Sequence, residues 1–300
     1  MSNLVLTPRD LEVLRMSSRI GFLTETQICS LFYPKHNGFD LDLFHARGSL
    51  AKRIKKLVDN GYLAKSTIPC TGPRNRVAYI LGPNGAEVLK NTREIESHSD
   101  PRWLTKRTND ILIRSRHDII TINFLVNLMM LDRLIPDFHL VDWIPDRDCR
   151  FYVPKGGKNL LVNPDLYLSV LNGGPGGATL FLEVDRDTLD KKAMHIKILR
   201  LFQYHSSRNY IRDLECDRFP RICIIAPSRA RVEVLKSAIL EAKKQYSSTV
   251  SENISRMPFW LATFDDVEVH SLDQGFVTRK PLEEVWESDT GKKYPSPLLS

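Results

Sequence analysis

The chain has 300 residues, of which 42% are hydrophobic and 26% are charged. These proportions are typical of a globular protein of one or two domains, and they exclude wholesale disorder. No run of about 18 apolar residues is present and no charged-then-apolar leader begins the chain. We therefore expect neither a membrane-spanning helix nor a secretory signal.

The five cysteines are odd in number and scattered, and no two are spaced as Cys-x-x-Cys. This pattern favours reduced thiols over a disulfide framework or a cysteine-based zinc site. Together with the missing leader, it predicts a cytoplasmic protein.

Positive charge is concentrated at the start of the chain. Residues 1–90 contain 13 Lys or Arg and 7 Asp or Glu, whereas residues 91–300 are nearly balanced within a total net charge of +7. A basic surplus confined to one small region is typical of a surface that binds a polyanion. A merely solvated basic face is the alternative.

Three helices are predicted in residues 1–90. The first begins at Thr7-Pro8, where a capping threonine precedes a proline at the first helical position. The second begins at Thr24 in a pattern that resembles a capping box. The third runs from about Leu43 to Asn60, and Gly61 is placed to end it.

Two short β segments follow, at residues 62–64 and 77–80, around a basic turn, and a closing helix begins near Gly85. Three helices and a β-hairpin make a winged helix-turn-helix, in which the third helix enters the major groove and the wing touches the neighbouring backbone. The sequence therefore predicts a winged-helix DNA-binding domain over residues 1–90. A winged helix used only for protein contacts is the alternative.

The third helix has one apolar side and one basic side, and we expect this domain to bind double-stranded DNA. Most of the basic residues should contact phosphates, whereas polar residues near the start of the helix are candidates for reading bases. The predicted DNA-binding residues are His45, Arg47, Ser49, Lys52, Arg53, Lys55, Lys56, Lys65, Arg74 and Arg76.

Residues 91–115 are polar and predict a linker, residues 116–287 a second domain, and residues 288–300 a flexible tail. The order of elements in the second domain predicts a mixed sheet with helices packed on it, an α/β fold. The predicted helices are 116–134, 188–205 and 229–246, and the predicted strands are 138–144, 165–171, 178–185, 222–226 and 259–263.

Acidic residues lie at the ends of two neighbouring predicted strands. Asp165 follows Pro164, and Glu183 and Asp185 share one side of their strand because residues i and i+2 point the same way. Converging carboxylates of this kind suit Mg²⁺. The order of elements and these acids resemble the core of the PD-(D/E)xK nucleases, a restriction-endonuclease-like fold.

Asp185 occupies the position at which active members of that group have a lysine. The lysine helps to activate water and to stabilise charge on the phosphate, whereas an extra carboxylate opposes the approach of phosphate. A lysine at 191, 192 or 197 could replace it, or Asp185 could be an additional metal ligand. If the site is active, Asp165, Glu183, Asp185 and Lys197 are the expected catalytic residues and the three acids the expected ligands of Mg²⁺. Otherwise these acids only cap strand ends and bind arginines or backbone groups.

Short motifs are spread over residues 4–287, and the Glu-x-Asp-Arg-x-Thr string that begins at Glu183 is the most specific of them. The others are Leu6–Asp10, the wing, Arg116-His117-Asp118, Pro164-Asp165, Lys197 followed by Tyr204, and Val285-Trp286. Together they resemble the replication-relaxation family of plasmid and mobile-element proteins.

The resemblance implies a winged helix joined to a nuclease-like domain, in an accessory DNA-binding protein of plasmid replication or mobilisation. Because Glu-x-Asp is common in that family, Asp185 is expected as a family feature. Asp187 stands where a glycine is commoner, so the turn after the strand departs from the family pattern.

Three functions are consistent with these patterns. The first is a sequence-directed, non-catalytic DNA-binding factor of a mobile element, with a degenerate nuclease-like domain and no required cofactor. The second is a Mg²⁺-dependent endonuclease or the cleavage subunit of a transposon-like system, and the third is a protein-interaction module. Expected partners are double-stranded DNA, and a second copy of the chain or other mobile-element proteins. A lysine beside converging carboxylates would favour the enzyme, whereas an arginine-neutralised cluster would favour the first function.

Overall fold

The computed structural model describes residues 4–33, 36–41, 43–68, 76–91, 119–173, 176–187, 190–249, 254 and 257–299. The chain is a mixed α/β protein that divides into two compact units. The first unit contains the described residues up to Met130 together with His270–Val277, and the second contains Leu131–Val269 and the residues from Thr278 onward. No helix within the described ranges is both long enough and apolar enough to cross a membrane.

The first unit contains helices and an antiparallel sheet of three strands, in the order β1-β5-β4. The three helices and the hairpin expected from the sequence are present, and β1 and the β2–β3 pair are additional. The helices are α1 Pro8–Ile20, α2 Glu25–Phe32, α3 Leu43–Asp59, α4 Pro83–Asn91 and α5, which is described over 119–134 and belongs to this unit as far as Met130. The strands are β1 Leu23–Thr24, β2 His36–Asn37, β3 Asp40–Leu41, β4 Leu63–Ile68 and β5 Arg76–Leu81.

The first two helices begin where the sequence predicts, because both are closed by capping boxes. The Thr7 hydroxyl accepts from the Asp10 amide at 3.3 Å, and the Asp10 carboxylate accepts from the Thr7 amide at 2.6 Å. Thr24 and Gln27 exchange the same pair of bonds at the start of α2. Each box satisfies amides that the first turn of a helix leaves without partners.

Asp10 also carries an ion pair that joins α1 to α3. Its side chain is buried, and the Arg53 guanidinium donates to both of its carboxylate oxygens and, at 2.8 Å, to the Val5 carbonyl. Burial alone would raise the pKa of Asp10, but hydrogen bonds from Arg53 and Thr7 outweigh it and hold that pKa below its usual value. Arg53 therefore fastens α3 to the start of α1.

The second unit is built on a seven-stranded sheet in the order β14-β13-β12-β11-β10-β9-β6. Strands β10, β11 and β12 are parallel and the other neighbours are antiparallel. The strands are β6 Phe138–Pro145, β7 Phe151–Lys155, β8 Lys158–Val162, β9 Leu166–Asn172, β10 Gly177–Val184, β11 Arg221–Ala226, β12 Phe259–Thr263, β13 Trp286–Glu287 and β14 Lys293–Tyr294. The helices are α6 Lys191–Ser207, α7 Tyr210–Asp213 and α8 Arg229–Thr249, and a short helix α9, Ser271–Gln274, belongs to the first unit.

The β7–β8 hairpin was not expected from the sequence. Gly156 and Gly157 form its tip with φ of +54° and +76°, the left-handed backbone that a tight hairpin turn requires at both positions. Its inner side packs on α6, where the rings of Phe151 and Tyr204 stack with centroids 5.1 Å apart. The hairpin leads directly into Asp165, so it positions the start of β9.

The expected domain boundaries need correction in two places. Residues 119–130 and 270–277 were assigned to the second domain, but both belong to the first unit. Polar contacts join these segments to the first unit: Asn123 accepts from Gln27 at 2.8 Å and donates to Asp273 at 3.3 Å. The expected linker over residues 91–115 lies outside the described residues apart from Asn91, the last residue of α4.

The expected flexible tail is also wrong for the part that the structure describes. Asp289 and Leu298 are buried, and Asp289 pairs with the buried Lys243 of α8 at 2.7 Å. Arg221 donates to the carbonyls of Pro297 and Leu299. These contacts come from residues distant in sequence, so the polar composition of the tail gave no sign of them.

Replacing Asp10 by Asn should lower the free energy of unfolding by roughly 1–3 kcal/mol, because Arg53 loses its charged partner. The pKa of Asp10 is lower in the folded chain, so its stabilisation is complete above the unfolded pKa and is lost as pH falls through the folded pKa. Urea unfolding at neutral and acid pH should show a difference from the native chain that shrinks in acid. Glu12→Gln removes an exposed ion pair of α1 and serves as the control. Equal effects of the two substitutions would contradict the prediction.

Candidate functional site

The end of β10 brings together the acids expected to form the site. Leu182 pairs with Leu166 of β9, so Glu183 and Asp165 occupy the next position along this antiparallel pair. The Asp165 amide donates to the Leu182 carbonyl at 3.1 Å, and the Asp165 carboxylate accepts from the Val184 amide at 2.7 Å. The backbone therefore fixes the Asp165 carboxylate beside Glu183.

Lys197 of α6 supplies the positive charge of this site. Its ammonium group contacts Oε2 of Glu183, whose side chain is buried. The other oxygen, Oε1 of Glu183, is also buried and accepts no hydrogen bond within the part of the chain that the structure describes. Buried polar atoms are nearly always satisfied in proteins, so this oxygen marks a place where a proton, a water molecule or a cation would be stabilised.

The electrostatics of the pair follow from its burial. Burial raises the pKa of Glu183 above its usual range, Lys197 opposes that shift, and the neighbouring Asp165 adds to it. Burial alone would lower the pKa of Lys197, but the charges of Glu183, Asp165 and Asp185 raise it further than burial lowers it. Lys197 therefore remains charged at neutral pH, beside a carboxyl group that is costly to ionise.

Asp185 is engaged differently, by an arginine from α8. Arg231 binds both of its carboxylate oxygens, with Nε 2.5 Å from Oδ2 and Nη2 3.3 Å from Oδ1, and both side chains are buried. The same guanidinium reaches Asp187 at 3.0 Å. Among the described residues, no group of three His, Cys, Asp or Glu side chains could hold a metal ion. The expected three-carboxylate set is therefore not assembled, and only Asp165 and Glu183 share the site with Lys197.

The turn after β10 explains the unusual residue at position 187. Asp187 has φ of +59°, a left-handed conformation that glycine adopts freely and that Asp and Asn tolerate better than other residues. Its amide donates to Oδ1 of Asp185 at 3.0 Å. The chain thus keeps the backbone that glycine would allow and gains a second carboxylate for Arg231.

Only one of the three candidate lysines reaches the carboxylates. Lys191 pairs with Glu241 of α8, and Lys192 is exposed, whereas Lys197 contacts Glu183. Position 197 lies on the side of α6 that faces β10.

Sequence reasoning missed Arg231. The residue follows Asp185 by 46 positions and belongs to no local motif. The signal was the topology: β10 and β11 are parallel, so both end at one edge of the sheet, and the helix after β11 begins beside the end of β10. An arginine in the first turn of that helix is then close to Asp185.

In the first unit, α3 separates apolar from charged residues as expected. Leu50, Ile54 and Leu57 are buried, whereas Ser49, Lys52, Lys55 and Lys56 are exposed. Lys55 pairs with Asp59 at 2.6 Å, and Arg53 is turned toward Asp10.

The remaining predicted DNA-binding residues are described in part. Lys65 is exposed on β4. The backbone of His45 and Arg47 lies in α3 and that of Arg76 in β5, with side chains outside the description, and Arg74 lies outside the described residues.

Comparison with protein families gives one result: the model of the replication-relaxation family matches residues 14–212. This range includes α3, the β4–β5 hairpin, the carboxylates at the end of β10 and Lys197. No curated protein and no solved structure matches the chain.

Replacing Arg231 by Met should destabilise the second unit by about 3–5 kcal/mol, because Asp185 would remain buried without its counterion. The double variant Asp185→Leu/Arg231→Met removes both charges and should recover most of this loss in urea unfolding. Arg229→Met, which removes a half-exposed arginine from the same turn, should cost less than Arg231→Met, because Glu287, the buried partner of Arg229, keeps its ion pair with Lys236. A single variant as stable as the double one would show that the pair is not needed to neutralise Asp185.

Proposed function

The chain belongs to the replication-relaxation family, and from this premise we propose that it is a sequence-directed, double-stranded DNA-binding accessory protein of a plasmid or other mobile element. In this proposal the first unit is a winged helix. Helix α3 enters the major groove, and the β4–β5 hairpin is the wing that touches the adjacent backbone.

The observation that carries the proposal is the division of α3 into two sides. Lys52 and Lys56 are one turn apart, exposed, and without an ion pair to any described residue, while Leu50, Ile54 and Leu57 anchor the opposite side in the core. An unneutralised row of lysines on a helix whose other side is fixed suits the phosphates that flank a groove.

The tie between Arg53 and Asp10 adds a second argument. A recognition helix has to enter the groove at a fixed angle, because phosphate contacts set the register of the protein on DNA. Arg53 fastens α3 to the capped start of α1 through a buried carboxylate. We therefore assign Arg53 a role in holding α3, rather than the phosphate contact that its sequence position suggests.

The second unit fits a nuclease-like domain that has lost part of its site. Asp185 stands at the lysine position of the PD-(D/E)xK pattern and cannot supply the positive charge of that lysine. Because Arg231 neutralises Asp185, its carboxylate is not available as a metal ligand either. This arrangement favours a non-catalytic role for the domain as a whole.

A second candidate function, a metal-dependent DNA endonuclease, is favoured by one observation. Lys197 contacts Glu183 next to Asp165, so an ammonium group and two carboxylates are close together. Mg²⁺ in proteins is often held by one or two carboxylates with water and substrate phosphate, and Oε1 of Glu183 is free to serve as a ligand, so the residues fit one such ion. Bound there, the metal would polarise a phosphate and a water molecule. Lys197 would hold Glu183 in place and stabilise charge that develops on the phosphate.

The DNA-binding proposal predicts a decrease in affinity and in salt dependence when the lysines of α3 are removed. For Lys52→Ala/Lys56→Ala, the slope of log affinity against log salt concentration should decrease by about 0.9 for each phosphate that the variant no longer neutralises. Fluorescence anisotropy with a labelled duplex at several salt concentrations measures it. Lys90→Ala removes an exposed lysine of α4 and is the control within the same unit. A native chain without DNA affinity at low salt, or a double variant that matches the control, would overturn the proposal.

The two candidate functions separate in a cleavage assay. Incubation of the native chain with supercoiled DNA and Mg²⁺ or Mn²⁺ should leave the DNA intact if the protein is a non-catalytic accessory factor. Metal-dependent nicking that Glu183→Ala abolishes and Glu241→Ala preserves would establish the endonuclease instead. Glu241 is a suitable control because it is an exposed acid of α8 that pairs with Lys191 and not with Lys197.

A further inference from the structure

The second unit contains two segments in which all the charge is positive. Residues 149–162 hold three Lys or Arg and residues 191–208 hold five, and neither segment contains an Asp or Glu. The near-neutral total of residues 91–300 conceals this separation, although Asp148 and Asp190 stand immediately before the two segments.

The fold brings the two segments side by side. The first segment is the β7–β8 hairpin and the second is α6, and their buried sides share an aromatic core in which Phe151 stacks on Tyr204. At the end of α6, the Asn209 side chain donates to the Tyr152 carbonyl of β7 at 3.2 Å. The hairpin and α6 therefore form one packed part of the second unit.

Four of these cations are exposed and make no ion pair with a described residue. Lys192 and Arg200 are eight residues apart, so they lie on the same side of α6, and Arg208 and Arg150 stand at the end of α6 and just before β7. This group, Lys192, Arg200, Arg208 and Arg150, is called the α6 basic surface below. Lys191 and Lys197, by contrast, pair with Glu241 and Glu183.

The dimensions of the surface indicate a long anion. Eight residues separate Lys192 from Arg200, which is about 12 Å along a helix that rises about 1.5 Å per residue. A duplex advances about 3.4 Å per base pair, so this length corresponds to roughly three to four base pairs of phosphate backbone. Exposed cations at such intervals suit a polyanion better than a single small phosphate, which needs donors converging on one point.

We propose that the α6 basic surface is a second nucleic-acid interface, which binds the phosphate backbone of duplex DNA independently of α3. The interface touches phosphates, so it adds affinity without sequence preference.

Charge reversal tests the interface in the full-length chain. Lys192→Glu/Arg200→Glu should weaken binding to a labelled duplex of mixed sequence and should lower the salt slope by about 2, at about 0.9 for each of the two phosphates concerned. The control Lys244→Glu/Arg218→Glu changes the net charge equally, at exposed residues of the same unit outside the surface, and should leave the slope near that of the native chain. The milder Lys192→Gln/Arg200→Gln should shift the slope in the same direction. A urea midpoint equal to that of the native chain confirms that each variant is folded.

The outcomes distinguish this inference from the proposed role of α3. If the α6 reversal and its control bind alike while Lys52→Ala/Lys56→Ala loses affinity, the second interface is overturned and the proposed function remains. If the α6 reversal alone loses affinity, the second interface stands and the α3 proposal fails. A decrease in affinity for single-stranded DNA but not for the duplex would also overturn the inference as stated.

Discussion

Two buried carboxylates at the end of β10 need counterions, and the second unit is arranged around that need. A buried charge costs several kcal/mol unless a partner offsets it, so Glu183 and Asp185 require cations from elements that pack on the sheet. Lys197 comes from α6 and Arg231 from α8. Both helices are thereby tied to one strand end, and the chemistry available there depends on which cation serves which acid.

Arg231 and Lys197 bind their acids in different ways, and this difference bears on the choice between the two candidate functions. Arg231 binds Asp185 through two bonds and a planar group that never loses its proton, so that pair acts as structure. Lys197 contacts Oε2 of Glu183, and Oε1 accepts no hydrogen bond from the residues that the structure describes. Asp185 is thus occupied by Arg231, while an ammonium group and two carboxylates are close together at Glu183. An arginine-neutralised acid and a lysine beside two carboxylates, which were alternatives at the level of the sequence, exist together.

Local signals in the sequence predicted local structure well. The capping residues Thr7 and Thr24 gave the starts of α1 and α2, and Asp165 and Glu183 were expected to meet because neighbouring strands bring them together. The contacts that the sequence did not predict join residues that are far apart along the chain. Arg231 is near Asp185 only through the parallel pairing of β10 and β11, and the residues after Glu287 are held by Lys243 and Arg221. No periodicity or composition within a short window reports such contacts.

Net charge is informative only over the area that a ligand touches. The basic surplus of residues 1–90 is visible in the sequence because it remains when all the charges of that segment are added. Even so, Arg53, one of the residues in that sum, is paired with the buried Asp10. The second unit sums to nearly zero, yet α6 presents Lys192 and Arg200 as exposed cations that pair with no acid among the described residues. Since salt screens charges beyond about 10 Å, a phosphate on α6 interacts mainly with charges on and beside that helix, which include the acids Asp190 and Glu241 as well as Lys192 and Arg200. The α6 proposal therefore depends on the local arrangement of charges around Lys192 and Arg200 and not on the sum over the second unit.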